Sequence, residues 1–179
     1  MPRIAPLEPP YAADVQSSFD AIMQGAPPLM LFRTLATSER AWRKFRAGSL
    51  LDRGPLSLRE RELVIDRTCA LAANEYEWGV HVTTFASAAR LTPEEIAATA
   101  GAGSAAPLWT DPERALLRAA EALHARAALT DAEFAALRAH YDEAQVMEVL
   151  LLCGFYRMVS YVVGGLALPL EPGAARFAA

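Results

Sequence analysis

Residues 57–85, SLRERELVIDRTCALAANEYEWGVHVTTF, contain the signals that decide the fold. Ser57 and Glu60 form a capping box, in which the hydroxyl and the carboxylate three residues later satisfy free amides at a helix start. Two consecutive helices, 57–73 and 75–89, are predicted from this start. They can form an antiparallel hairpin across Ala73-Asn74.

Helix signals dominate the rest of the chain, and strand signals are nearly absent. Thr92 with Glu95, Asp111 with Pro112, and Thr130 with Glu133 mark further helix starts. The sequence predicts an all-α, single-domain helical bundle, with helical arms over residues 1–54 packed on it. The predicted helices, about eight with ends good to a few residues, are 11–24, 29–47, 57–73, 75–89, 92–100, 111–127, 130–139 and 142–163.

Composition excludes several classes of protein. The 17 basic and 21 acidic residues give a net charge of -4, which does not favour nucleic-acid binding. Two cysteines cannot build a disulfide framework or a cysteine-rich zinc site. The first residues, 1–11, lack the apolar core of a secretory signal, and the uncharged run 158–170 is too short to span a bilayer. We therefore expect a cytoplasmic protein without a membrane or nucleic-acid partner.

One face of the second predicted helix carries groups suited to acid/base chemistry. Asn74, Glu77, His81 and Phe85 share this face, and Glu77 lies four residues before His81. A carboxylate at that spacing can orient and charge-stabilise an imidazole, which can then exchange a proton.

The preceding helix carries a polar stripe formed by Glu62, Asp66 and Cys69. In the antiparallel hairpin, Glu62 would lie near His81 and supply a second carboxylate. Spacing alone, however, favours an ordinary solvated pair for Glu77 and His81 and a surface position for Glu62.

Other candidates have simple structural interpretations. Tyr76 and Trp78 fit core or interface positions better than a substrate cage. His124 and His140 are interpreted as exposed helix histidines, because no second Glu-x-x-His accompanies Glu121 to build a di-iron site.

Residues 61–65 (RELVI) and 74–81 (NEYEWGVH) resemble the carboxymuconolactone decarboxylase family, which includes AhpD-like alkylhydroperoxidases. The segments 155–159 (FYRMV) and 170–172 (LEP) are similar to the ends of its long members. The resemblance covers residues 39–172. It implies an AhpD-like helical domain and assembly into trimers or hexamers.

The peroxidase branch of that family carries Glu, then C-x-x-C, then His. Aligned on Glu62 and His81, this chain has Asn74 and Glu77 where the two thiols would stand. Neither Cys69 nor Cys153 matches those positions, so the thiol cycle of the family is not expected. Cys69 is most simply a buried, inert thiol.

The resemblance implies a lyase that removes carboxylate from a lactone acid in the breakdown of aromatic compounds, without a metal or organic cofactor. His81 would donate or accept the proton, Glu77 would hold its tautomer, and Glu62 would be the second carboxylate. The small substrate is expected to be anionic. The remaining candidates for substrate binding are Asn74, Tyr76, Cys69, Arg67 and Arg157, the two arginines being alternative partners for the anionic group.

Two other hypotheses remain open at this stage. The chain could retain a redox or hydroperoxide activity through Cys69, or it could be a non-catalytic oligomer that binds a small molecule. Residues 146–168 form a helix that is apolar nearly all round, which indicates a core helix, a subunit interface, or both.

Overall fold

Nine α-helices and one 3-10 turn form the regular structure of residues 2–178, the part of the chain that this computed structural model describes. The helices are α1 (Ala13–Met23), α2 (Met30–Leu35), α3 (Glu39–Gly48), α4 (Leu58–Leu71), α5 (Glu75–Phe85), α6 (Pro93–Ala100), α7 (Asp111–Arg126), α8 (Asp131–Arg138) and α9 (Glu143–Leu166), and the 3-10 turn is Gly103–Ala105. The predicted all-α bundle is confirmed.

Helix α4 is the centre of the bundle. Every residue from Arg61 to Cys69 is buried, and the helix packs against α5, α6, α7 and α9. Its start is the capping box predicted at Ser57 and Glu60, and equivalent boxes begin α6, α7, α8 and α9. Because α4 is enclosed on all sides, its polar side chains are taken out of water together with its apolar ones.

The prediction of a single helix over 29–47 is wrong, because two helices occupy this range. Helix α2 ends at Leu35, and Ser38 begins α3 by accepting a hydrogen bond from the Ala41 amide at 3.3 Å. Thr37 also donates to the Thr34 carbonyl at 2.7 Å, which occupies a carbonyl at the end of α2. These local hydrogen bonds favour a break that the apolar pattern alone does not reveal.

The N-terminal helices pack on the C-terminal half of α9. Phe19, Leu31 and Trp42 form a buried apolar cluster there with Val159 and Val163. A larger cluster surrounds α4 and reaches from α5 to the first half of α9. The division into arms, 1–54, and bundle stays a prediction, and Met1, its first residue, lies outside the described residues.

Helix α9 is longer and more apolar than its uncharged run suggests. Its 24 residues include an 18-residue window of mean hydropathy 1.7, so by length and composition it could cross a membrane. The charged residues Glu148 and Arg157 interrupt this apolar helix without ending it. One face of this helix, which includes Val149, Leu152 and Val159, is buried in the bundle.

The C-terminal segment, residues 171–178, returns over α5. The Glu171 carboxylate accepts hydrogen bonds from the Tyr76 hydroxyl and the Met30 amide, and the Phe177 ring lies 4.9 Å from that of Trp78. A Cβ at Gly79 would stand 2.3 Å from the Ala175 carbonyl oxygen, so this close approach requires glycine. The segment thus covers the outer face of α5.

Candidate active site

The α4–α5 hairpin places His81 between two carboxylates. The Nδ1 atom of His81 lies 2.7 Å from Oε2 of Glu62, and its Nε2 atom lies 3.6 Å from Oε1 of Glu77. The three side chains are only 3%, 1% and 8% exposed. The spatial arrangement agrees with the hairpin argument, whereas the interpretations of a solvated pair and a surface Glu62 are wrong.

The turn between the two helices sets this geometry. Ala73 adopts a left-handed conformation with φ of 52°, and the Asn74 amide donates to the Cys69 carbonyl at 2.9 Å. The Asn74 side chain then caps α5 by accepting from the Glu77 amide at 3.1 Å, and it donates to the Ser160 hydroxyl at 3.0 Å. Asn74 therefore anchors α5 to α9, which is a different use from the predicted donor to substrate.

The electrostatics of the site favour a charged imidazole. Burial opposes the imidazolium, but the hydrogen bond to Glu62 and the nearby charge of Glu77 outweigh burial and raise the pKa of His81 to about 10. Nδ1 donates to Glu62, so the exchangeable proton belongs on Nε2, the nitrogen that faces Glu77. At neutral pH the ring is a buried acid.

Asp66 and Cys69 lie beside this group, and the pKa of each is raised. Burial raises the pKa of Asp66 well above its usual value, and Glu62 adds to that rise while His81 opposes it. Burial also raises the pKa of the Cys69 thiol, with further contributions from the Glu77, Asp66 and Glu62 charges. The neutral thiol of Cys69 is accordingly unsuited to nucleophilic attack.

Arg61 is a member of the site that the sequence argument missed. Its Nε and its terminal nitrogen lie 3.0 and 2.9 Å from Oε1 of Glu62, and it also donates to the Leu51 carbonyl at 3.0 Å. Adjacent residues on a helix normally point apart, so spacing gave no reason to pair them. The long Arg61 side chain bends back, with its guanidinium 5.4 Å from the centre of the Phe85 ring.

Aromatic rings enclose His81, and two polar atoms beside it lack partners. The Tyr156 ring packs edge-on at 4.9 Å from the imidazole, and Phe85 lies at 5.3 Å. Among the described residues, Oδ1 of Asp66 and Oε2 of Glu77 are buried without a hydrogen-bond partner. Buried polar atoms are nearly always paired, so such atoms mark a place where a bound polar group would fit.

Three of the predicted substrate-binding residues lie elsewhere. Arg67 binds the Glu121 carboxylate at 2.9 Å and the Thr99 carbonyl at 3.0 Å, so it ties α4 to its neighbours. Arg157 lies against His124. The Tyr76 hydroxyl accepts from the Leu31 amide at 2.9 Å in the N-terminal cluster. The arginine at the site is Arg61, whereas Arg67 and Arg157 project from other faces of their helices.

Metal ligation has little geometric support here. Across residues 2–178, no group of three or more His, Cys, Asp or Glu side chains is arranged to hold a metal ion.

Comparison with known proteins identifies the family. The model of the carboxymuconolactone decarboxylase family matches residues 36–122, which contain the whole α4–α5 hairpin. Residues 36–122 thus belong to this family, and the bundle of the whole chain has the AhpD-like fold. The match ends well before residue 172, so beyond residue 122 the likeness depends on the structural neighbours. No protein of curated function matches the sequence.

Solved structures share the fold at low sequence identity. An uncharacterized peroxidase-related protein from Silicibacter sp. TM1040 has a TM-score of 0.83 and 18% identity, covering 94% of this chain and 91% of the other. An AhpD-core, peroxidase-related protein from Ralstonia eutropha JMP134 has a TM-score of 0.75 and 18% identity, covering 96% and 93%. The debrominase Bmp8, as a cysteine-to-alanine variant in complex with 2,3,4-tribromopyrrole, has a TM-score of 0.76 and 15% identity, covering 94% and 91%.

Proposed function

We propose that this protein is a carboxymuconolactone decarboxylase-like enzyme that uses acid/base proton transfer on a small organic acid, without a metal or organic cofactor. The observation that supports this most strongly is the buried His81 between Glu62 and Glu77. A charged imidazole in such a site can protonate a carbanionic intermediate that would otherwise take its proton from water.

In the proposed reaction, the bond between the substrate carbon and its carboxylate breaks and carbon dioxide leaves. The electron pair moves into the conjugated carbonyl and forms a dienolate. The Nε2–H of His81 then donates its proton to the dienolate carbon, and the ring regains a proton from water. Glu62 holds Nδ1 throughout, so the ring keeps one orientation while its charge changes.

The unpaired atoms beside His81 suggest where the substrate lies. Within residues 2–178, Oε2 of Glu77 and Oδ1 of Asp66 have no hydrogen-bond partner. The raised pKa of Asp66 favours its protonated form, which can donate to an oxygen of a bound acid. The 3.6 Å gap between Nε2 and Glu77 is too long for a direct hydrogen bond. A substrate group beside Nε2 would gain both a proton donor and a nearby carboxylate.

A substrate anion needs positive charge, and the proposal assigns this role to His81 and Arg61. Arg61 contacts the Glu62 carboxylate, and the imidazolium of His81 contacts the same carboxylate. Two positive groups therefore lie together at the site. The chain's AhpD-like relatives include the tribromopyrrole complex of a debrominase, which supports the view that this fold can accommodate a small planar ring.

The test is turnover of carboxymuconolactone by the purified protein, followed by release of carbon dioxide. We expect activity that His81→Gln reduces at least 100-fold, as general acids typically contribute about 100-fold or more, and that His140→Gln leaves unchanged because His140 is exposed outside the site. Undiminished turnover by His81→Gln would disprove the role of His81. Inactivity of the wild type would disprove the decarboxylase assignment.

The redox alternative predicts a different outcome. A peroxide reductase needs a thiolate, and burial keeps the Cys69 thiol protonated. We therefore expect Cys69→Ser to retain turnover of the lactone acid. Loss of a peroxide-dependent activity in that variant would favour the redox hypothesis, and thermal stabilisation by the lactone acid without any product would favour the binding module.

We also propose a cytoplasmic location. The thiols of Cys69 and Cys153 are both free and buried, which suits a reducing compartment.

A further inference from the structure

A second candidate site lies beside Thr68, which is on a different face of α4 from Glu62 and Asp66. A cavity of about 320 Å³ opens between α4, α7 and α9. Thr68 and Cys153 form its inner wall, and the Thr68 hydroxyl donates to the Cys153 sulfur at 3.6 Å. Tyr156, three residues beyond Cys153, packs on His81, so this wall separates the cavity from the candidate active site.

One end of the cavity is positively charged. The Arg157 guanidinium donates to the His124 ring, and its Nε donates to the Tyr161 hydroxyl at 3.0 Å. Within residues 2–178, Arg157 forms no ion pair with a carboxylate, and the lining contains no Asp or Glu. Arg157 is half-buried, so its charge is partly desolvated without a counter-charge.

His124 does not supply the missing negative charge. Burial and the neighbouring Arg157 and Arg67 charges lower the pKa of His124, so the neutral ring accepts a hydrogen bond from Arg157. The interpretation of His124 as an exposed helix residue is therefore wrong. Arg157 therefore carries the positive charge at this end of the cavity.

The rest of the lining is apolar. Leu123 and Leu150 form walls, and the volume lies at the small end of the range for ligand pockets, about 300–1,000 Å³. A planar guanidinium matches the two oxygens of a carboxylate. The ligand that fits both features has a carboxylate head and a small apolar body.

We propose that this cavity is a binding site for a small organic carboxylate, held by Arg157 at its head and by Leu123 and Leu150 along its body. The site is distinct from the one containing His81 and does not depend on the proposed lyase activity.

The probe is benzoate, with benzamide as its neutral counterpart and inorganic phosphate as an anion without an apolar body. By titration calorimetry we expect benzoate to bind, Arg157→Met to weaken binding at least tenfold, and the matched change Arg118→Met to leave it unaltered. Arg118 is exposed on α7 and outside the lining. His81→Gln should also leave benzoate binding unchanged, which separates this site from the candidate active site.

A second variant tests the cavity without changing charge. Apart from its chain neighbours and the backbone of its own helix, no atom of residues 2–178 lies within 4 Å of the position that a Cβ would take at Gly154, so Gly154→Leu should fold and place its side chain in the cavity. We expect this variant to lose benzoate binding while its unfolding temperature is kept. Absence of benzoate binding to the wild type, equal binding of benzamide or phosphate, or unaltered binding by Arg157→Met or Gly154→Leu would each overturn the proposal.

Discussion

At the scale of single residues, the charge on His81 depends on its neighbours. An isolated buried imidazole would be neutral, because burial disfavours the charged form. Glu62 reverses this preference with a 2.7 Å hydrogen bond, and Arg61 balances the extra negative charge. The pairing keeps an ionised group inside a buried site.

The stability of the protein should therefore fall as pH rises above neutrality. The imidazole of the unfolded chain titrates near 6.5, whereas the folded pKa is about 10. The stabilisation from the charged ring is complete below pH 6.5 and is lost as pH rises through 10. Between these values the free energy of unfolding should decrease by up to about 1.4 kcal/mol per pH unit.

Urea unfolding across this pH range measures the effect. His81→Gln should flatten the pH dependence, and His140→Gln should preserve it. Identical slopes for the wild type and His81→Gln would show that His81 is not charged in the folded state.

The two cysteines should be inert in the folded protein. Cys69 is fully buried with a raised pKa, and burial raises the pKa of Cys153 to about 11. We expect almost no reaction with a thiol reagent at pH 7.5 and reaction of both thiols in denaturant. Cys69→Ser, as a control, should lose one of the two thiols counted after unfolding, and rapid labelling of native Cys69 would contradict the structure.

Part of the site could be predicted from spacing. Glu77 and His81 are four residues apart, and a hairpin turn at Ala73-Asn74 brings Glu62 to them. Arg61 could not be found in this way, because its contact depends on how a flexible side chain bends. The true positions of Arg67 and Arg157 also depend on rotations of α4 and α9 that one sequence does not specify.

At the scale of elements, capping residues were the most informative signal. Ser57, Thr92 and Thr130 each begin a helix through a complete capping box. Ser38 begins α3 with only one half of that pattern, since no acidic or amide side chain follows three residues later. This explains why the break between α2 and α3 was missed.

The cap at Asn74 should contribute more stability than an exposed cap. Asn74→Ala removes the bond to the Glu77 amide and the buried bond to Ser160, which together stabilise the fold by about 2 kcal/mol. Ser38→Ala, the matched control on an exposed cap, should cost about 1 kcal/mol. Urea unfolding gives both values, and an equal or smaller loss for Asn74→Ala would contradict its anchoring role.

At the scale of the whole molecule, the outer face of α9 is an apolar surface. Four exposed side chains follow one another along this face: Met147, Leu151, Met158 and Tyr161. Their spacing of four, seven and three residues keeps them on one side of the helix. As the family resemblance implies, we propose that this face joins copies of the chain in a homo-oligomer.

A charge in this face should weaken assembly. Leu151 is 55% exposed, so Leu151→Glu should not disturb the core but should lower the mass measured by light scattering towards that of one chain. Leu108→Glu, at an exposed apolar residue away from α9, should leave the mass unchanged. A wild-type protein that is already monomeric, or an unaltered mass for Leu151→Glu, would refute this interface.

The proposed reaction depends on His81 being a buried, charged acid at neutral pH. Nitrogen NMR of the histidine rings tests it directly, with the His81→Gln protein identifying the signal. We predict that both ring nitrogens of His81 stay protonated at pH 8 and titrate near pH 10. A ring that is already neutral at pH 7 would contradict the claim and remove the proton donor from the proposed reaction.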